Sequence, residues 1–268
     1  MSGRALVDGY DLVIADLDGV VYLGDRAIPG AVEAFAELRR RGVSVVFATN
    51  NASRRAAEVA RLLTGLGIPT GETDVLTSAH AAAQAVAARQ PAGTPVLVIG
   101  ADALREEVEA AGLRPVDRAD AAPPVVIQGY GPAVGWAELA EASVAIRSGA
   151  TWVATNTDAT LPSPRGPLPG NGALVAALRT ALGREPDLVI GKPQPELFHA
   201  AARQAGAERP LVVGDRLDTD IAGARRAGMD SLLVLTGVTD AELLRAAPAD
   251  RRPTHVAADL SGLFTVDL

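Results

Sequence analysis

The chain has 268 residues, with 25 basic against 32 acidic side chains and a net charge of −7. It has no cysteine, which excludes a disulfide framework, a thiolate nucleophile and any Cys-ligated metal. The acidic balance argues against nucleic acid as a partner; no secretory signal is legible in Met1 to Tyr10 and no apolar run nears the ~20 residues of a membrane span, so a cytoplasmic protein without a membrane partner is expected.

Short apolar runs recur along the chain, each followed by an alanine-rich amphipathic stretch. Leu12–Ala15 predicts the first strand and Gly30–Arg41 the first helix; Val43–Ala48 predicts a strand and Ser53–Leu66 a helix. Ala79–Arg89 predicts a helix, Val96–Ile99 and Val125–Ile127 strands, and Ala137–Arg147 another helix. Trp152–Ala154, Leu188–Ile190, Leu211–Val213 and Leu232–Leu235 complete the predicted strands. Continuous apolar runs bounded by Gly, Pro or Asp suit strands buried on both faces, so the fold class is α/β with a Rossmann-like parallel sheet. Two proline-rich joints, Pro115 to Pro124 and Leu161 to Gly172 (with Pro162, Pro164, Pro167 and Pro169), interrupt the middle of the chain. They suggest a core formed by residues 1–78 and 187–268, with residues 79–186 inserted as a second α/β domain.

In open parallel sheets, ligands bind beyond the carboxyl ends of the strands. The first strand runs into Asp16-Leu17-Asp18-Gly19, the second into Thr49-Asn50-Asn51, a later one into Gly191-Lys192-Pro193, and another into Gly214-Asp215 through Thr219-Asp220. One sheet edge therefore receives paired carboxylates, a hydroxyl, an ammonium and a second acidic cluster. Phosphoryl transfer needs such a set, because a carboxylate attacking an anionic phosphate requires cations beside it. Asp16 and Asp215 suit Mg²⁺, and Lys192, the single lysine beside 24 arginines, suits the phosphoryl oxygens. Thr49 to Asn51 also read as cap residues for the following helix, Asp218 as a cap, and Pro169-Gly170-Asn171-Gly172 as a turn. His80, His199 and His255 read as structural or surface residues, and Thr239 to Glu242 as a capping box.

These motifs resemble, in order and spacing, those of the haloacid dehalogenase superfamily of phosphatases. Asp16 to Gly24 resembles the first, Ala48 to Asn51 the second, Gly191-Lys192-Pro193 the third and Gly214-Asp215 to Asp220 the fourth. The insert between the second and third resembles the C2-type α/β cap of the NagD-like branch, where Thr155-Asn156-Thr157-Asp158 and Pro169-Gly170 match. The resemblance implies a Mg²⁺-dependent phosphatase in which Asp16 is the nucleophile and Asp18 the acid and base. Thr49, Asn50, Asn51 and Lys192 then face substrate, as do Asn156 and Asp158 from the cap. Asp16, Asp18 (through its main-chain carbonyl) and Asp215 hold the metal, with Asp220 in an outer shell. Substrates of the branch are small phosphorylated metabolites, and the Lys-poor, high-GC style of composition leans towards glycerol 3-phosphate over phosphoglycolate. Pairing through the caps into a homodimer is open. A phosphomutase, a phospho-accepting regulatory module and a non-catalytic phosphometabolite binder are the rival readings.

Overall fold

The computed structural model describes residues 4–24, 26–161 and 165–265. Pro162 and Pro164 of the second predicted joint lie outside them. Elements follow in the order β1 (Leu12–Ala15), α1 (Ala31–Arg40), β2 (Ser44–Thr49), α2 (Ala56–Gly65), β3 (Val75–Thr77) and α3 (Ser78–Ala87). Then come β4 (Pro95–Ile99), α4 (Asp102–Ala110), β5 (Arg114–Val116), β6 (Val125–Gln128), α5 (Trp136–Arg147), β7 (Thr151–Ala154), α6 (Asn171–Leu182) and β8 (Leu188–Val189). The chain ends with α7 (Glu196–Ala205), β9 (Pro210–Gly214), α8 (Ala222–Arg226), β10 (Asp230–Val234), α9 (Ala241–Arg245) and β11 (His255–Ala257).

The chain divides into two compact units. The first comprises Met1–Thr49, Ala57–Leu76 and Lys192–Leu268, and the second Asn50–Ala56 and Thr77–Gly191. The first unit is built on a six-stranded sheet in the order β11-β10-β9-β1-β2-β3. β1 lies at its centre, with Leu12 opposite Pro210 and Ser44 and Ala15 opposite Val213 and Phe47, both pairings parallel. All four β1 side chains are buried, as the unbroken apolar run requires of a strand with both faces covered. This register brings the carboxyl ends of β9, β1 and β2 to one edge.

The second unit has its own five-stranded sheet, ordered β8-β7-β6-β4-β5, whose paired strands are parallel. Leu97, Ile99, Val126 and Trp152 of the sheet pack with Ala142 and Ile146 of α5 and Val175 and Leu178 of α6. Both tryptophans of the chain, Trp136 and Trp152, belong to this unit.

The eight predicted strands are present, Leu12–Ala15 with its ends unchanged and the other seven with ends moved by one or two residues. The sequence pattern missed β3, β5 and β11, each three residues long, and two short antiparallel hairpins. The Asp218 cap is a correction: its carboxylate pairs with the Arg216 guanidinium at 3.0 and 2.8 Å instead. So is the box at Thr239, since Asp240 is the N-cap of α9 and accepts from the Glu242 and Leu243 amides at 2.9 and 2.8 Å. Among the described residues, no helix is long and apolar enough to cross a membrane.

Candidate active site

The site in the first unit starts from the ends of its central strands. Asp16 follows β1, and its amide still donates to Val213 O at 2.9 Å, so the backbone stays in sheet register as the carboxylate leaves it. Asp215 directly follows β9, whose last residue, Gly214, pairs with Leu233. A π-helical turn, Leu217–Ile221, then buries Asp220 before α8 begins. Thr49, buried, closes β2. Lys192, at the start of the return into this unit, is 3% exposed. Its Nζ donates to Asp16 Oδ1 at 2.6 Å and to Asp220 Oδ1 at 2.7 Å. Asp18 lies one residue beyond buried Leu17, with the turn closed by the Gly19 amide on Tyr22 O at 2.9 Å.

Asp215 is fixed more tightly than a strand-end acid needs for its own sake. Its Oδ2 accepts from the Val238 amide at 2.7 Å, and its main-chain oxygen accepts from Thr239 N at 3.2 Å. Gly19 and Gly237 press on the carboxylate. A Cβ at Gly19 would lie 2.5 Å from Oδ2, and one at Gly237 would collide with it outright. Gly19 also has φ of +82°, a left-handed conformation that glycine adopts without strain. Gly214 gives Asp220 the same room, since a Cβ there would overlap the Asp220 side chain.

Charge in this cluster is unbalanced. Burial disfavours the Lys192 ammonium, but the Asp16 and Asp220 carboxylates outweigh it and hold the lysine above its ordinary pKa. Three acids share that one cation. Burial pushes Asp16 up, with Lys192 opposing. Burial raises Asp215 to about 7, with the charges of Asp220 and Asp16 adding to it. Asp220 is raised by burial to about 6 against the pull of Lys192. One ligand oxygen from each of Asp16, Asp215 and Asp220 falls within 4.8 Å of the others.

This donor set fits a hard divalent cation. Asp215 Oδ1 is buried with no hydrogen-bond partner, a costly state for a carboxylate oxygen unless a cation takes it. Both Asp220 oxygens are engaged, Oδ1 by Lys192 and Oδ2 by the Arg216 amide at 3.1 Å, so Asp220 is poorly placed to be a direct ligand.

The second unit brings the other predicted residues together. Asn50 Nδ2 donates to the Asp158 carboxylate at 3.0 and 3.2 Å. Asn50 O accepts from Asn156 Nδ2 and from Ser78 Oγ, each at 2.7 Å. Asn51 makes an Asx turn, its Oδ1 accepting from the Ser53 amide and hydroxyl at 2.8 Å, so its side chain shapes the approach to α2.

Comparison with known proteins accords with the geometry. A family model described as haloacid dehalogenase-like hydrolase matches residues 13–114, and a second described as HAD-hydrolase-like matches residues 189–263. The chain is 49% identical over 97% of its length, and 72% of the relative's, to a D-glycerol 3-phosphate phosphatase of Mycobacterium tuberculosis. The chain belongs to the haloacid dehalogenase-like hydrolases. A Bacillus subtilis 5'-nucleotidase is 38% identical over 94% of the chain and 96% of its own length. Among solved structures, the M. tuberculosis glycerol phosphate phosphatase in complex with magnesium superposes with a TM-score of 0.94 at 47% identity, covering 98% of this chain and 77% of that one. The 4-nitrophenylphosphatase of Thermotoga maritima gives 0.90 at 32% identity, covering 97% and 98%.

In this haloacid dehalogenase-like hydrolase, Asp16, Lys192, Asp215 and Asp220 form one hydrogen-bonded and ionic cluster in the first unit. Asn50, Asn156 and Asp158 form a second network in the other unit. Sequence reasoning missed Ser78, Gly237 and the Val238 amide and read Asn171 only as part of a turn; all four support named residues. His80, read as structural, bonds Glu107 between α3 and α4 at 2.9 Å.

Proposed function

We propose that this hydrolase is a magnesium-dependent phosphatase of small phosphorylated metabolites, with glycerol 3-phosphate as its preferred substrate. The observation that carries the chemistry is the Asp16 carboxylate held at 2.6 Å by a buried ammonium, in a cluster where Asp215 keeps an oxygen for a cation. The substrate preference is supported by the 49% identity to a D-glycerol 3-phosphate phosphatase.

Asp16 is the nucleophile. Its carboxylate oxygen bonds to phosphorus while the P–O bond to the leaving alkoxide breaks and Asp18 delivers a proton to that alkoxide. Asp18, now a carboxylate, takes a proton from water as the water oxygen attacks the aspartyl-phosphate; inorganic phosphate leaves and Asp16 is restored. Lys192, the Thr49 hydroxyl and the Asn50 amide hold the phosphoryl oxygens, while Asp220 keeps the lysine aimed. Asp16, the Asp18 main-chain carbonyl and Asp215 would hold Mg²⁺, which when bound supplies positive charge against the phosphoryl oxygens. Asn51, Asn156 and Asp158 are assigned to the substrate side. Asp158, an anion, suits a hydroxyl of the leaving group better than the phosphate.

Residues 79–186 are read as the cap domain that selects the leaving group, and residues 1–78 and 187–268 as the catalytic core. The site of action is read as cytoplasmic, on metabolites and not on nucleic acid or membranes. Phosphate release from glycerol 3-phosphate, phosphoglycolate, a sugar phosphate and a nucleoside 5'-monophosphate tests the preference. Glycerol 3-phosphate is expected to show the highest kcat/KM, and a higher value for another substrate overturns the preference alone. Asp16→Asn is expected to abolish release on every substrate; turnover retained in that variant would remove the nucleophile assignment.

A further inference from the structure

The turn Pro169-Gly170-Asn171-Gly172 has no part in the chemistry above, yet it is fitted closely to the loop that carries Asn156 and Asp158. Gly170 N donates to Ala159 O at 2.9 Å and Gly172 N to Asp158 O at 2.8 Å. A Cβ at Gly170 would collide with Asp158 O, and one at Gly172 with Thr157 O. Between these two glycines Asn171 opens α6, at 1% exposure. Its Nδ2 donates to Asn156 O at 2.7 Å and to Gln128 O, at the end of β6, at 3.4 Å. The side chain thus ties the loop to the end of a sheet strand. The loop in turn grips Asn50, with Asn156 Nδ2 on its carbonyl and Asp158 on its side-chain amide.

We propose that Asn171 is a positioning residue for phosphoryl transfer, which sets the Asn50 backbone by fixing the carbonyl and hence the side-chain direction of Asn156. The proposal rests on the phosphatase reading, in which the Asn50 amide holds a phosphoryl oxygen. Asparagine suits the post. It is neutral and offers two N–H donors from one nitrogen at the reach needed for two buried carbonyls. Alanine would take the donor from Asn156 O, while Gln128 O keeps the Thr155 amide at 2.8 Å, and aspartate would set acceptor against acceptor. Contacts to the phosphoryl group strengthen as charge develops in the transition state, so an error in Asn50 falls mainly on kcat.

The test compares Asn171→Ala, Asn171→Asp and Val175→Ala in the full chain with Mg²⁺, on 4-nitrophenyl phosphate and on glycerol 3-phosphate. Alanine removes the amide without burying a charge and is the milder variant, whereas aspartate keeps the shape but buries an anion against two carbonyls and is the harsher one. Val175, buried one turn further along α6, is a control for lost packing. Both Asn171 variants are expected to lower kcat about tenfold on both substrates with KM changed less than about twofold, the lower range for loss of a supporting hydrogen bond. Val175→Ala is expected to lower Tm at least as much while kcat holds. Backbone amides of residues 50–53 should exchange faster with deuterium in the Asn171 variants only. Kinetics at the wild-type level in both Asn171 variants, or a kcat loss in Val175→Ala equal to theirs, would overturn the proposal. If the wild type releases no phosphate from either substrate, the phosphatase reading fails. Exchange at residues 50–53 then decides the positioning claim, with unchanged rates overturning it.

Discussion

Lys192 shows how one side chain can depart from the chemistry of the rest of a composition. Twenty-four of the 25 basic residues are arginine, and an exposed cation on this chain is an arginine wherever it falls. At position 192 the charge is buried between Asp16 Oδ1 and Asp220 Oδ1, 2.6 and 2.7 Å away. An ammonium presents three donors from one compact atom, whereas a guanidinium brings a planar fork that would displace one carboxylate or the other. Lys192→Arg is therefore expected to fold, by far-UV circular dichroism, and to lose roughly 10²-fold in kcat, the scale of a ~1 Å misplacement of a reacting group. Lys192→Met should fare worse in stability, by about 3–5 kcal/mol in urea, because it leaves buried carboxylates without their cation. An arginine variant with normal turnover would make the lysine incidental. At this scale the sequence was informative where a residue directly follows a long apolar strand, as Asp16 and Asp215 do. Within Asp218-Thr219-Asp220 it told less, since an acid near a helix start has the same local signature whether it caps, pairs with an arginine or faces a lysine; Asp220 was assigned to the site, but the cap expected at Asp218 is an Arg216 pair instead. The π-helical turn that buries Asp220 and leaves Asp218 beside Arg216 is what separates them.

The elements hold the site through segments that carry no motif. The stretch after β10 contributes the Thr236 hydroxyl to Gly19 O at 2.6 Å and the Val238 amide to Asp215 Oδ2 at 2.7 Å, with Gly237 pressed against the carboxylate between them. Gly237 does not have a left-handed φ, so alanine there meets no backbone penalty and acts only through its methyl group. Gly237→Ala is expected to displace Asp215, to raise the Mg²⁺ concentration for half-maximal activity at least about tenfold and to lower kcat, the scale seen when a group that orients a metal ligand is lost. A metal titration of phosphate release measures it, and an unchanged half-maximal concentration would detach Gly237 from the metal site. Nothing in the sequence near Gly237 announces this, because the partner it accommodates lies 22 positions earlier. The missed strands have a similar cause. β3, β5 and β11 are three residues each, too short for a periodic pattern, and only pairing in the sheet defines them. The long runs at β1, β2 and β9 were legible because burial on both faces demands unbroken apolar sequence.

At the scale of the molecule, each compact unit has a sheet and a core of its own, and the two respond to different probes. The proposed metal ligands, Asp16, Asp18 and Asp215, all belong to the first unit, and every tryptophan belongs to the second. Trp152 is fully buried in the second core, while Trp136 is 84% exposed and changes little in environment on unfolding. Tryptophan emission therefore reports the second core almost alone. A ligand that binds only the folded state adds about 2.7 kcal/mol at a hundredfold excess over its Kd. If each unit unfolds on its own core, Mg²⁺ at that excess should raise the first unit's transition, followed by far-UV circular dichroism in urea, by that amount. The emission midpoint of Trp152 should stay where it was without metal. Asp215→Asn should abolish the Mg²⁺-dependent shift and leave the emission curve unchanged. An emission midpoint that moves with Mg²⁺ as far as the dichroism does would mean that the chain unfolds as one cooperative body. The metal's free energy would then be shared by both cores, although its ligands belong to one.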